Sequence, residues 1–165
     1  SRAAAVRLRQ LAEKNGVKTS LTFSDPAMVQ FFKDGLNEML GERVDLLFCN
    51  EAEATSFTDT DNVDAALEAL KPRCGSAVIT LGADGALVWD GEQTHRIDPV
   101  PVKAIDSNGA GDMFAGAFLY AITHGHDFAA AGKLASAAAA RLVSKFGPRL
   151  PAEVHQELRN AILGE

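Results

Sequence analysis

Two aspartates bracket a run of small residues in "DSNGAGD", positions 106–112, and an apolar helical pattern starts at once in "MFAGAFL". Glycine is costly in ordered structure, so Gly109 and Gly111 mark a backbone that turns sharply or comes very close to something. They let the chain expose successive N–H groups, and the helix predicted to begin near Gly111 adds the positive end of its dipole. Together these make an anion hole suited to a phosphoryl group that gains charge during transfer. Asp112 stands within reach, where a carboxylate can take the proton of an attacking alcohol. The bland alternative is a glycine loop with Asp112 as a favourable first-turn acid. The full strand–loop–helix setting favours the chemical reading.

Two further clusters follow predicted strands. In "NEAE", Asn50 and Glu53 lie one helical turn apart and share a face that could hold hydrated Mg2+; Glu51 lies off that face. The same pair also spells a helix cap, with Asn50 capping and Glu53 completing a capping box, and taken alone the cap is favoured. In "TLGADGALVWD", Thr80 precedes Gly82 and Gly85. These glycines would let the loop lie against a nucleotide, or would make an ordinary turn at Asp84-Gly85; alone, the turn is favoured. His95, His124, His126 and His155 show no metal-ligand spacing and read as surface residues. Trp89 and the phenylalanines read as core. Phe114 and Phe118, four apart, fit the buried face of the glycine-loop helix.

The elements that must position these groups alternate. A helix runs from the first residues to Asn15-Gly16, followed by a strand in "TSLTFS". Asp25-Pro26 introduces a helix in "AMVQFFKDGLNEML". "VDLLFC" and "SAVITL" are buried strands, with helices in "EAEATSF" and "NVDAALEAL" between them. "GALVWD" and "QTHRI" flank Gly91 as a hairpin, which suggests an antiparallel edge. Helices are predicted over 112–123, 128–145 and 152–163. The Ala-rich run "ASAAAARL" suits a helix that packs closely against a neighbour or a flat ligand. This alternation, with near-continuous apolar strands, predicts an α/β fold with a largely parallel sheet. Ligands in such folds bind at the carboxyl ends of strands, so all three polar clusters are expected to line one crevice.

The 165 residues suggest one domain, and 47% hydrophobic content is enough for a core. A net charge of −6 and a pI of about 5.2 argue against nucleic acid or a membrane surface as partner. They leave an anionic small ligand open, because local backbone dipoles bind phosphate inside acidic proteins. Cys49 and Cys74 form no CxxC and read as reduced thiols, in keeping with a cytoplasmic protein. No apolar run reaches spanning length, and the first residues are not a signal peptide.

Taken together, "DSNGAGD" with "MFAGAFL", "NEAE" and "TLGADG" resemble, in order and spacing, the motifs of the PfkB (ribokinase-like) carbohydrate and nucleoside kinases, over essentially the whole chain. The resemblance implies a three-layer α/β/α fold with a mostly parallel sheet. It makes Asp112 the catalytic base and the backbone of Gly109, Ala110 and Gly111 the anion hole. Asn50 and Glu53 would organise Mg2+ and phosphates, with Glu53 acting through water. Thr80, Gly82 and Gly85 would line the ATP site, with Ser136 and Ala139 near the adenine. A monovalent cation, K+ being the candidate, would sit by Asp106 and the Asn108 carbonyl.

Asn108, where many members have threonine, is similar to the adenosine kinases, and "FGPRL" also looks closer to nucleoside kinases; Ser107 is a mild departure. The implied activity is ATP-dependent phosphorylation of an adenosine-like nucleoside, with ribose and other sugars open. Family members are about twice this length. Nothing here matches their N-terminal half and lid, which carry most acceptor contacts and often a homodimer contact. The chain then reads as a C-terminal portion that is inactive alone, or as a non-catalytic nucleotide-binding module. A Rossmann-type dehydrogenase is disfavoured, because no GxGxxG follows the first strand.

Overall fold

A computed structural model describes residues 2–165. The elements in chain order are α1 (Arg2–Lys14), β1 (Ser20–Thr22), α2 (Pro26–Leu40), β2 (Val44–Asn50), α3 (Glu51–Thr58), α4 (Val63–Leu70), β3 (Cys74–Thr80), β4 (Ala86–Trp89), β5 (Thr94–Ile97), α5 (Ala110–Thr123), α6 (Phe128–Val143) and α7 (Ala152–Leu163). The strand order is β1-β2-β3-β4-β5, mixed and mostly parallel. The chain forms two compact units. One runs through Thr80 and takes in Trp89–Gln93; the other comprises Leu81–Val88 and Thr94–Glu165.

In the first unit β1, β2 and β3 are parallel, with Leu46 opposite both Ser20 and Ser76. β2 and β3 are buried on both faces, as continuous apolar runs require; Leu47, Val78 and Ile79 are fully enclosed. Asp45 is the exposed exception in β2. Its carboxylate accepts from the Thr19 N–H at 2.7 Å and so ties the entry of β1 to β2. α2 starts where Asp25-Pro26 predicts. The Asp25 side chain accepts from the N–H groups of Ala27 and Met28, and Pro26 occupies a position that has no helical partner for an N–H.

In the second unit, α5 and α6 carry the core. Phe114 and Phe118 stack at 6.5 Å between centroids, and Phe118 meets Phe128 edge-on at 5.4 Å. Asp127 caps α6 through the Ala130 N–H, at 2.7 Å. Gly132 lets α6 approach β5: a Cβ there would lie 2.6 Å from Ile97 Cγ1. The connection after β4, which belongs to the first unit, is the expected tight turn. Asp90 N–H donates to the Gln93 carbonyl, and the Asp90 carboxylate accepts from the N–H groups of Glu92 and Gln93.

Three details of the sequence expectations change. α5 begins at Ala110 rather than at Asp112, because Gly109 in the left-handed region (φ 77°) already serves as its cap. α6 stops at Val143, short of Lys145, because the chain turns there to bring Gly147 and Pro148 against the glycine loop. Not every phenylalanine is core: Phe31, Phe32 and Phe146 are 70%, 59% and 82% exposed. Phe32 sits at a break in α2 (φ −131°, ψ 27°), so the helical spacing no longer fixes which way its neighbours point. Among the described residues no helix is long and apolar enough to cross a membrane. Cys49 and Cys74 are buried free thiols, and burial pushes the Cys74 thiol up to about 11.

Candidate active site

The glycine loop leaves two adjacent donors unused. The Ala110 N–H donates to the Ser107 carbonyl (3.2 Å) and the Met113 N–H to the Gly109 carbonyl (2.9 Å). Between them, the N–H groups of Gly111 and Asp112 have no acceptor among the described residues. The first turn of any helix has such orphan donors, and here they lie at the positive end of a fourteen-residue helix. The two glycines differ in what requires them. Gly109 needs a positive φ and packs against Pro148, whose Cβ would be 2.9 Å from an added Cβ. Gly111 needs neither; a Cβ built there meets nothing within 4 Å. Gly111 and Asp112 are both exposed, so this turn is open to an anion from solvent. Asp112 is exposed, carries one of those donors on its own backbone, and borders a cavity of about 550 Å³ between α5, α6 and α7 that Met113, Gly116, Tyr120 and Pro148 also line.

Asp106 braces the loop from below. Its carboxylate accepts from Asn108 N–H at 3.0 Å and from Gly147 N–H at 3.1 Å. These two bonds, Asn108 first, hold its carboxyl below the usual range.

The "NEAE" cluster belongs to the first unit and forms a complete capping box. Asn50 Oδ1 accepts from Glu53 N–H (2.8 Å), and Glu53 Oε2 accepts from Asn50 N–H (2.9 Å). Glu53 Oε1 also accepts from Asn50 Nδ2, at 2.8 Å. The Glu53 side chain lies in a residue only 3% exposed, and burial raises its pKa against the opposing Asn50 hydrogen bond. Both its oxygens are engaged, so the donor set fits a cation through intervening water better than by direct ligation. Thr80 ends β3 directly opposite Asn50, so the register brings these two strand ends together.

In the second unit Gly82 and Gly85 bound a short 3-10 turn, closed by Leu81 N–H donating to the Gly85 carbonyl at 2.8 Å. Gly82 has φ 60° and open space around it. Gly85 is required by the fold itself: a Cβ there would lie 2.0 Å from the Ile97 carbonyl oxygen. Ser136 is buried, and its hydroxyl donates to the Asp98 carbonyl at 3.4 Å. Gly85 and Ser136 thus converge on Ile97–Asp98, while Ala139 lies half-buried further along α6. The histidines form no metal cluster with other ligands among the described residues. His124 and His126 serve structure, bonding the Tyr120 carbonyl and Glu165. The sequence reading missed the partnership of Gly147 and Pro148 with the glycine loop. "FGPRL" was its only trace, a glycine–proline pair too common to signal a contact.

Comparison with known proteins shows the family and the fold. Residues 1–155 match the pfkB family carbohydrate kinase domain. The adenosine kinase of Saccharomyces cerevisiae is 32% identical over 163 residues, and the ribokinase of Haemophilus influenzae 34% over 154. These alignments cover 91% and 90% of this chain and 48% of each relative, so the chain spans about half the length of these curated relatives. Among solved structures, the adenosine kinase from Sinorhizobium meliloti superposes with a TM-score of 0.87 at 31% identity, covering 96% of this chain and 49% of that one. A probable sugar kinase from Rhizobium etli gives 0.87 at 29%, covering 96% and 48%. The ribokinase-like α/β/α class expected from the motifs is therefore the class observed, and the chain belongs to the pfkB family of carbohydrate and nucleoside kinases.

Proposed function

We propose that this chain supplies the catalytic and nucleotide-binding half of an ATP-dependent kinase that phosphorylates a hydroxymethyl group of an adenosine-like nucleoside. The observation that carries the reading is the pair of unused N–H donors at Gly111 and Asp112, both exposed residues, with the Asp112 carboxylate on the same turn. The acceptor hydroxyl gives its proton to Asp112 while its oxygen attacks the γ-phosphorus of ATP and the bond to the ADP oxygen breaks. The Gly111 and Asp112 N–H groups, with the loop backbone of Gly109 and Ala110 shaping them, stabilise charge on the transferring group. Thr80, Gly82, Gly85, Ser136 and Ala139 are assigned to nucleotide binding. Asn50 and Glu53 would hold Mg2+ through water; bound there, the ion neutralises phosphate charge. Asp106 and the Asn108 carbonyl are the candidate contacts of a monovalent cation such as K+.

Adenosine is favoured over a sugar by Asn108 and by the similarity to adenosine kinases of yeast and Sinorhizobium. A sugar acceptor is the second reading, supported by the similarity to a ribokinase. Nucleotide binding without transfer is the third, because the chain spans half of its relatives. The test is ADP release with Mg-ATP across adenosine, inosine, ribose and fructose, on this chain and on any longer form of the protein that contains it. Selective turnover of adenosine supports the proposal. Turnover of a sugar keeps the mechanism and replaces the acceptor. Mg-ATP binding without turnover of any acceptor supports the binding module.

A further inference from the structure

The glycine loop is not held by its own bonds alone. Its peptide from 105 to 109 runs against the segment that follows α6, and each contact is made by a different group. The N–H groups of Ile105 and Asp106 both donate to the Val143 carbonyl, at 2.7 and 3.2 Å. The two oxygens of Asp106 divide between the partners: Oδ1 takes the Asn108 N–H of the loop itself, and Oδ2 takes the Gly147 N–H across the gap. Pro148 then closes against Gly109 so tightly that even a methyl group on that glycine would lie 2.9 Å from its Cβ and 3.3 Å from its Cα. Gly109 is the residue whose left-handed conformation turns the chain into α5, so whatever fixes Gly109 also fixes the direction of the next N–H groups.

We propose that Gly147 and Pro148 are the positioning element of the glycine loop, with Asp106 as the clasp between the two segments. They hold Gly109 in the conformation that leaves the Gly111 and Asp112 N–H groups unpaired and outward. The proposal rests on the loop as the phosphoryl site for its functional meaning, but its structural content stands on the contacts alone. Pre-set donors cost no reorganisation when charge develops, and a brace of this kind is what supplies that rigidity.

The experiment is backbone amide exchange and 1H–15N spectroscopy on the 165-residue chain, in wild type, Pro148→Gly, Pro148→Ala and Asp106→Asn. Pro148→Gly removes the Cβ, the Pro148 atom nearest the Gly109 Cβ position, and frees the backbone that the ring restrains. Its Met113 amide, which bonds the Gly109 carbonyl, should exchange about tenfold faster, and the Gly111 and Asp112 resonances should move, with β2 and β3 amides unchanged. Pro148→Ala keeps the Cβ and should stay close to wild type. Asp106→Asn leaves one acceptor oxygen for two donors. It should give the same local change with Pro148 intact, and it decides the matter if Pro148→Gly does not fold. Unchanged Met113 exchange and unchanged Gly111 and Asp112 resonances would overturn the proposal. So would faster exchange spread evenly through α5 and α6, since that reports lost stability rather than lost positioning. A Mg-ATP titration of the wild type, followed at the Gly111 amide, separates the two claims: no response would refute the phosphoryl site, while the exchange data still decide the brace.

Discussion

Gly111→Ala separates space from conformation at the proposed anion hole. The residue sits in the first turn of α5 without a positive φ, and a Cβ there would touch nothing within 4 Å. Nothing in the folded chain therefore opposes the methyl group, and alanine costs less backbone entropy than glycine. Replacing a glycine inside a helix is worth about 0.5–1 kcal/mol, so the variant should melt about 1–4 °C higher in a chain of this size. Gly109→Ala is the control of opposite sign. Its left-handed φ costs an L-residue about 1–2 kcal/mol. The close Pro148 atoms, backbone among them, add to that, so the total loss is more than about 2 kcal/mol. Function should move the other way at Gly111. The methyl group adds bulk on the exposed turn that carries the two unused donors, where it crowds a bound phosphate. Losing one charge-assisted hydrogen bond, roughly 1.5–3 kcal/mol, weakens Mg-ATP binding by about tenfold or more. Thermal unfolding and calorimetric titration of one preparation read both effects. A Gly111→Ala variant that is destabilised by more than about 1 kcal/mol, or that binds Mg-ATP as wild type does, would refute the reasoning.

Glu53→Gln tests the buried capping box by its pH dependence. Burial raises the Glu53 pKa above 4.5, so its favourable protonated contribution is present below that value and is lost as pH rises through the raised folded value. The stability advantage of wild type over Glu53→Gln should therefore shrink as pH rises from acid to neutral, in urea unfolding at a series of pH values; an advantage that grows with pH would contradict the assignment. Gly85→Ala should cost more than about 3 kcal/mol, because its φ is 89° and the new methyl would lie 2.0 Å from a backbone oxygen that cannot rotate away. A melting temperature close to wild type would show that the β4 entry is less tightly packed than its geometry indicates.

Local chemistry explains what could be read from the chain before its fold was seen. Asp25-Pro26 and Asn50-x-x-Glu53 write helix starts into adjacent residues, and both formed as written. The paired apolar strands and the Phe114–Phe118 spacing carry their burial in their periodicity. The reasons behind particular glycines were not legible. Gly85, Gly109 and Gly132 are each needed because a distant carbonyl or side chain comes close, whereas no packing contact requires Gly111. The same holds for Asp106: its bond to Gly147 joins residues 41 positions apart, and no local pattern announces it. The exposure of Phe31 and Phe32 also escaped the pattern, since the break at Phe32 interrupts the helical phase that would have predicted it.

The central claim is that Asp112 takes the acceptor's proton. ADP release with Mg-ATP and adenosine, measured for wild type and Asp112→Asn in a turnover-competent form of the protein, tests it most directly, with Mg-ATP affinity measured alongside. Loss of a general base predicts turnover at least about 100-fold lower, with nucleotide affinity within a few-fold of wild type. Turnover by Asp112→Asn at the wild-type rate would contradict the account.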